Sequence, residues 1–288
     1  MTAKSEPLSS QGNPALQNRS ANFLADAPWW AFLIILAGVI LLYNFLTNDT
    51  YYEIISTLVE GVRTTALAAV TAYSIALILG LTTALMQLSS NIVARNVGQL
   101  YVQIIRGVPI LVQILYWGFV VGPAIANGIN GLGEWFAQIG IMGAENSLID
   151  FKLDFMVRGI FALAFSYGAF SSEIFRAGLQ SIEKGQREAA AALGLTWFQS
   201  FRFIVLPQAL RRILPPLGND FIAMVKETSL LSALGIGEIT QLGKKYGAAS
   251  FLYLETYNTV GFLYLSLTLL LSSGVRWLER RLKTDQRK

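Results

Sequence analysis

The sequence predicts an all-α fold, a polytopic membrane helix bundle of about six transmembrane helices, and three features point to it. Of 288 residues, 53% are hydrophobic and only 14% charged, with a mean hydropathy of +0.49; one soluble core cannot hide so much apolar surface. The charges are also unevenly spread, since Thr64 to Ala94 and Gly107 to Gly133 contain no Asp, Glu, Lys or Arg. Each run is long enough to cross about 30 Å of hydrocarbon as a helix. Finally, the basic residues sit in short stretches between apolar runs. The net charge of +4 and the pI near 9.3 therefore read as topology signals and not as a nucleic-acid-binding face.

Absences narrow the function further. The chain has no Cys and no His, which excludes disulfides, Cys/His zinc sites, imidazole bases and the usual Ser/His or Cys/His nucleophiles. Residues 1–28 lack the apolar stretch close behind a positive start that a secretory signal needs. They are rich in Ser, Asn, Gln, Ala and Pro, and are read as a disordered tail.

Six apolar runs follow. Trp29 to Leu46 opens after Pro28 with paired tryptophans and is an added first span; Asp49 to Glu60 is an acidic, aromatic connector. The second span starts after Arg63 and ends near Gln87, with the Thr, Ala and Gly content that suits close helix packing. The third is expected from Tyr101 to about Ala124, and the Gly-rich, acidic stretch Asn127 to Asp154 then includes a surface helix around Glu134 to Gly140. The fourth is Phe155 to about Phe175, with Arg158 placed to snorkel at its start and Glu173 and Arg176 spaced to pair on one helical face at its end. The fifth, Ile213 to Leu234, is interrupted by Asp220, Lys226 and Glu227. The sixth, Thr256 to Val275, runs into the basic sequence Arg276 to Lys288.

Six crossings leave both termini on one side, and the basic residues choose the side. With the termini cytoplasmic, sixteen Lys/Arg lie inside: Lys4, Arg19, Arg95, Arg106, six from Arg176 to Arg212 and six from Arg276 onward. Five lie outside (Arg63, Lys152, Arg158, Lys244, Lys245) and Lys226 falls within a span. The positive-inside bias favours this orientation. It makes the hydrophilic stretch after the fourth span, residues 179–212, cytoplasmic.

That stretch contains EKGQREAAAALGLTWFQSFRFIVLPQALRR. Glu188 to Leu193 is an Ala-rich helix former, Gly194 can end it in a left-handed conformation, and Thr196 with Gln199 forms a capping box for a second helix. Phe198, Phe201 and Val205 recur at helical spacing, Pro207 stands where a helix should end or kink, and Arg211 and Arg212 hold the exit at the headgroups. Periodicity alone leaves two readings, an amphipathic connector resting on lipid and a surface built to be touched.

The spacing separates them. Glu188-Ala189-Ala190, three residues, Gly194, nine residues, then Ile204-x-Leu206-Pro207 resembles the cytoplasmic signature loop of ATP-binding-cassette (ABC) importer permeases at every defined position. The resemblance runs from about Ile54 to Leu282 and is nearest to permeases of the polar amino acid uptake group, the histidine, glutamine, glutamate and arginine importers. RGVPILVQ, from Arg106 through Pro109 to Gln113, resembles the opening of a core span in that group; EIFRAGLQSIEKGQREAA from Glu173 and KETSLLSALG from Lys226 resemble its other recurring segments. Many members have five spans, so Trp29 to Leu46 is a departure.

The resemblance implies a type I importer permease fold over residues 54–282 and a multi-pass subunit of the inner (plasma) membrane. It implies pairing with itself or a similar permease, docking on two ABC ATPase subunits, and delivery of amino acid by an extracytoplasmic binding protein. Residues 29–53 are then an extra helix and connector, and 283–288 a basic tail. Glu188, Ala189, Ala190, Gly194, Ile204, Leu206 and Pro207 are the expected ATPase-coupling residues, and Arg106, Pro109, Glu173, Arg176, Asp220, Lys226 and Glu227 the translocation-path or structural candidates. The chain itself is expected to bind no cofactor or metal and not to be the ATPase. A P-loop needs G-x-x-x-x-G-K-[ST], and around Gly243-Lys244 the first Gly is replaced by Glu238 and the Ser/Thr by Lys245.

The competing reading is an ion-coupled secondary transporter, motivated by Asp220, Lys226 and Glu227 within a span. Other residues take plainer roles. Gly118 and Gly122 are expected to serve ordinary helix packing, Trp29, Trp30 and Trp277 an interfacial belt, and Asp220 an ion pair or hydrogen bond inside the bundle.

Overall fold

A computed structural model describes residues 29–141 and 150–284, and among them there is helix and no strand. The tail expected at 1–28 and the last residues of the basic tail, 285–288, lie outside the described residues, as does 142–149 of the acidic stretch. The chain divides into one unit ending at Asp49 and a second beginning at Thr50.

The described part of the first unit is helix α1 (Trp29–Thr47). Its few polar groups are turned back on its own backbone: Asn44 Nδ2 donates to the Ile40 carbonyl at 2.9 Å and Thr47 Oγ1 to that of Tyr43 at 2.8 Å.

The second unit begins one residue into α2 (Asp49–Leu88), one unbroken helix of 40 residues. The expected connector Asp49 to Glu60 is therefore helical. No Gly or Pro interrupts it, and Ile54 and Leu58 are fully buried in a cluster with Ile239, Val260 and Leu263. A short turn leads to α3 (Ile92–Gly107), capped by Asn91, whose side chain accepts from the amides of Val93 and Ala94.

The third span differs from expectation. The chain breaks at Val108–Pro109 and restarts as α4 (Ile110–Gln138). Proline disfavours the helical region for the residue before it, and Val108 is extended at φ −109°, ψ 133°. Consequently the membrane-length apolar helix begins at Ile110, not Tyr101. The surface helix expected at Glu134 to Gly140 is the far end of α4, because Gly128, Gly131 and Gly133 lie within continuous helix.

Helix α5 (Phe155–Gln180) is capped by Asp154, which accepts from the Met156 amide. Then come α6 (Lys184–Ala192), α7 (Trp197–Ser200), a π-helical turn at Phe201–Val205, and α8 (Leu206–Glu227). A 3-10 turn (Thr228–Leu234), α9 (Ile239–Ser250) and α10 (Tyr253–Thr284) complete the chain.

By length and composition α2, α4, α5 and α10 are long and apolar enough to cross a membrane. Helix α8 falls short in hydropathy, yet it runs antiparallel along α5. Ile213 lies against Gly178, Asp220 bonds to Ser171, and Leu231 lies against Gly159. Its charges lower its hydropathy without shortening its path. The central core gathers Ala68, Ala72, Ala76, Ile114, Leu163, Met224 and Leu231 from α2, α4, α5, α8 and the 3-10 turn.

Candidate functional site

The loop between α5 and α8 takes its shape from hydrogen bonds made within a few residues. At the end of α6 the Gly194 amide donates to Ala191 O at 2.9 Å and the Leu195 amide to Ala190 O at 3.1 Å. This paired closure needs a left-handed residue between, and Gly194 has φ +75°. Two residues on, Thr196 Oγ1 accepts from the Gln199 amide at 3.3 Å and Gln199 Oε1 from the Thr196 amide at 2.8 Å. The reciprocal cap fixes where α7 starts. Helix, left-handed glycine and capped helix are thus present as the sequence suggested.

Pro207 behaves differently from expectation. It does not end the helix, because the turn before it is widened: the Leu206 amide bonds to Phe201 O, five residues back. Proline lacks an amide proton and its ring clashes with the carbonyl four residues earlier, and a π turn moves that carbonyl aside. The same device occurs in α4, where the Gly122 amide reaches Trp117 O just before Pro123.

The loop has two faces. Inward, Ile182, Val205, Ala209 and Ile213 are buried against Leu179, Ile174 and Leu77 of the bundle, and the Arg212 guanidinium donates to the Ser181 carbonyl. Outward, Leu193 and Trp197 are each 79% exposed, Phe198 and Phe203 are exposed, and Trp197 stacks on Phe201 at 5.6 Å. Glu188 and Ala189 are exposed, Ala190 is buried, Ile204 and Leu206 are half-buried and Pro207 is exposed. The apolar surface is exposed on a base packed against α5 and α8, and Trp197 also lines a cleft with Leu85 and Leu88 of α2.

Of the translocation-path candidates, the structure brings three together. Arg106, Glu173 and Arg176, with Gln87, Gln99, Gln103 and Gln180, line a polar groove of about 490 Å³. Arg176 pairs with Glu173 as expected and also donates to Gln180 Oε1 at 3.0 Å. The Arg106 guanidinium lies 5.6 Å over the Phe170 ring. Asp220 stands apart and accepts from Ser171 Oγ at 3.0 Å, a hydrogen bond inside the bundle. Lys226 is exposed and Glu227 half-buried at the end of α8. Pro109 is exposed and acts through the backbone, as the cap that starts α4.

Several residues that organise the site were missed in the sequence. Gln113 is the clearest. Its Nε2 donates to Ile105 O at 2.7 Å and Val108 O at 2.8 Å, and its Oε1 accepts from Ser166 Oγ at 2.7 Å. One buried amide satisfies the carbonyls left open by the Pro109 break and joins them to α5. An amide four residues past the proline of a Gly-Val-Pro break, in an otherwise uncharged run, was the available signal. Arg158 does not simply snorkel: its guanidinium donates to Leu153 O and Gly118 O, each at 2.7 Å. Gly118 and Gly122 therefore serve packing within the chain, against Leu234 and Arg158.

Glu238 is fully buried at the start of α9, where it accepts from the amides of Thr240 and Gln241 and from the Tyr264 hydroxyl. Burial pushes its carboxyl above the ordinary glutamate range, and those hydrogen bonds pull it back.

The family profile described as binding-protein-dependent transport system inner membrane component matches residues 76–284. The glutamine transport system permease protein of Escherichia coli is 34% identical over 78% of this chain and 93% of its own length. The arginine transport system permease protein of Bacillus subtilis is 30% identical over 79% and 93%. Among solved structures, an amino acid ABC transporter crystallised with histidines superposes with a TM-score of 0.66 at 31% identity, over 82% of this chain and 98% of that one. The methionine ABC transporter MetNI in an inward-facing conformation shares the fold, with a TM-score of 0.59 at 20% identity over 78% and 96%.

Proposed function

The chain belongs to the binding-protein-dependent transport system inner membrane components, and from that premise we propose that it is the permease subunit of an ABC importer carrying polar amino acids into the cytoplasm. The relatives that move glutamine and arginine support the substrate class. None of the compared proteins supports the ion-coupled alternative. The observation that carries the coupling half of the proposal is the loop of residues 179–212. It combines an exposed apolar face at Leu193, Trp197 and Phe198 with a buried anchor at Ile182, Val205 and Ala209.

A separate ATPase can move the spans only through an element that it grips and that is stiffly joined to them, and this loop has both properties. In the proposed cycle the ATPases close on ATP, two docked loops move together, and the bundles switch from inward- to outward-facing to receive amino acid from a binding protein. Hydrolysis returns them. A second copy or a similar permease supplies the other half of the pathway, and Arg106, Glu173 and Arg176 line its path at the loop end of the bundle. The chain binds no ATP of its own in this scheme.

Copurification from native membranes tests the proposal. An ATPase and a binding protein should accompany the chain; a chain that takes up amino acid with neither contradicts it. For the orientation, single cysteines at Ser5, Asn130 and Ser250 should be told apart by an impermeant thiol reagent on intact cells. Positions 130 and 250 should label and position 5 should not. Labelling of position 5 as strong as that of 130 would overturn the topology.

A further inference from the structure

Helix α3 presents three different faces. Gly98 and Val102 are buried against the bundle, while Val93, Val97, Leu100 and Ile104 form an exposed apolar stripe suited to lipid. The third face is polar: Gln99, Gln103 and Arg106 follow one another at helical spacing, and all three are exposed. They form one wall of the groove of about 490 Å³ at the loop end of the bundle.

The opposite wall is already satisfied. Glu173 is paired with Arg176, which also donates to Gln180, and the Gln87 amide donates to Ser172 Oγ at 3.4 Å. Nothing comparable holds the α3 wall. Among the described residues the side chains of Gln99 and Gln103 make no hydrogen bond, and Arg106 has no carboxylate within ion-pair distance. Its guanidinium rests on the Phe170 ring instead. The groove thus offers one uncommitted cation and two carboxamides, set within about 10 Å along one helix.

We propose that Arg106 takes the α-carboxylate of the transported amino acid and that Gln99 and Gln103 take its polar side chain, forming a subsite on the release side of the pathway. The inference deepens the importer reading above and rests on it. A carboxamide both donates and accepts, so the glutamines read polarity and not the sign of a charge. They suit an amide or a guanidinium alike, and an aliphatic side chain would leave them unpaired. Other occupants fit less well. A lipid phosphate accepts only, which leaves the glutamine oxygens unused, and it would meet the Glu173 carboxylate in the same groove. The α3 of a second copy cannot neutralise Arg106, because the helix carries Arg95 and Arg106 and no acid.

The test is binding to the whole complex, purified from native membranes with its ATPase and placed in nanodiscs without ATP or binding protein. Calorimetry would compare L-glutamine with L-glutaminamide, which lacks the carboxylate, and with L-norleucine, which lacks the side-chain amide. Wild type should prefer L-glutamine to either analogue by roughly tenfold or more, as the loss of a hydrogen bond to a charged group or of a buried polar partner does. R106Q should erase the preference over the α-amide and keep that over norleucine; Q103L should do the reverse. Each variant then serves as the folding control of the other. An R106Q complex that keeps its full preference over the α-amide overturns the proposal, as does an equal loss of affinity for all three probes. Glutamine binding that disappears when phosphatidylglycerol replaces phosphatidylcholine in the disc also overturns it, since a headgroup would then hold Arg106. A wild-type complex with no preference for L-glutamine, in a preparation whose ATP-driven amino acid uptake depends on a binding protein, overturns this inference and leaves the importer reading standing. Uptake that needs neither ATP nor binding protein overturns both.

Discussion

The two ends of the bundle are built by different means. At the loop end, the bonds that fix Gly194, Thr196 and Gln199 each join residues no more than five apart. At the far end, the shape depends on contacts between distant parts of the chain. Gly61 of α2 lies so close to α9 that a Cβ would stand 2.6 Å from the Ile239 amide nitrogen, and Glu238 is bonded to Tyr264 at 2.7 Å. The first kind of structure can be reshaped locally and still pass on or lose a displacement. The second fails as a unit.

The largest effect is therefore expected from G61V. The added side chain meets backbone, which cannot step aside as a side chain would. Overpacking of this kind costs about 1–3 kcal/mol and occasionally more. Thermal denaturation of the purified complex should show a large loss of stability or no recoverable complex. Wild-type melting would mean that α2 and α9 do not approach as described.

The same contrast decides what could be read beforehand. The Ala-rich run, the glycine and the capping pair are rules of short range, so the coupling loop was legible residue by residue. Helix identity was legible too, because apolar runs bounded by charge define spans. The Asp49 to Glu60 helix was not, since its register is set by Ile54 and Leu58 meeting Ile239, Val260 and Leu263 some two hundred residues away. Arg158 escaped for the same reason: nothing near it in sequence announces the Gly118 carbonyl. Pro207 does not end its helix because the rule for proline assumes regular α geometry, and the π turn before it relieves the clash.

Q113L sits between the two cases. It leaves the carbonyls of Ile105 and Val108 short of a partner, while the Ser166 hydroxyl keeps the Ala162 carbonyl at 2.8 Å. Burying unsatisfied polar groups costs about 1–3 kcal/mol. A lower melting temperature is expected with the subunits still assembled, together with slower uptake if the Pro109 break must hold its angle. Stability equal to wild type would remove Gln113 from the account. The smallest effect is expected from E188A, which removes an exposed charge from a helix whose backbone path is fixed by other groups. Uptake should fall by no more than about half an order of magnitude, in line with the modest worth of exposed helix charges. A complete loss would place the ATPase contact on Glu188 itself and not on the apolar face.

The central claim is that displacement passes through the loop because Gly194 sets the angle between its two helices. Its most direct test is amino acid uptake and ATP hydrolysis measured together on proteoliposomes containing G194V in otherwise intact complex. A β-branched residue at φ +75° costs about 1–2 kcal/mol locally and re-aims the helices on either side. The account predicts a variant that inserts into the membrane normally, yet either loses the ATPase or hydrolyses ATP without driving uptake. Full uptake with undiminished ATPase binding would contradict it, and the loop would then be a connector resting on lipid.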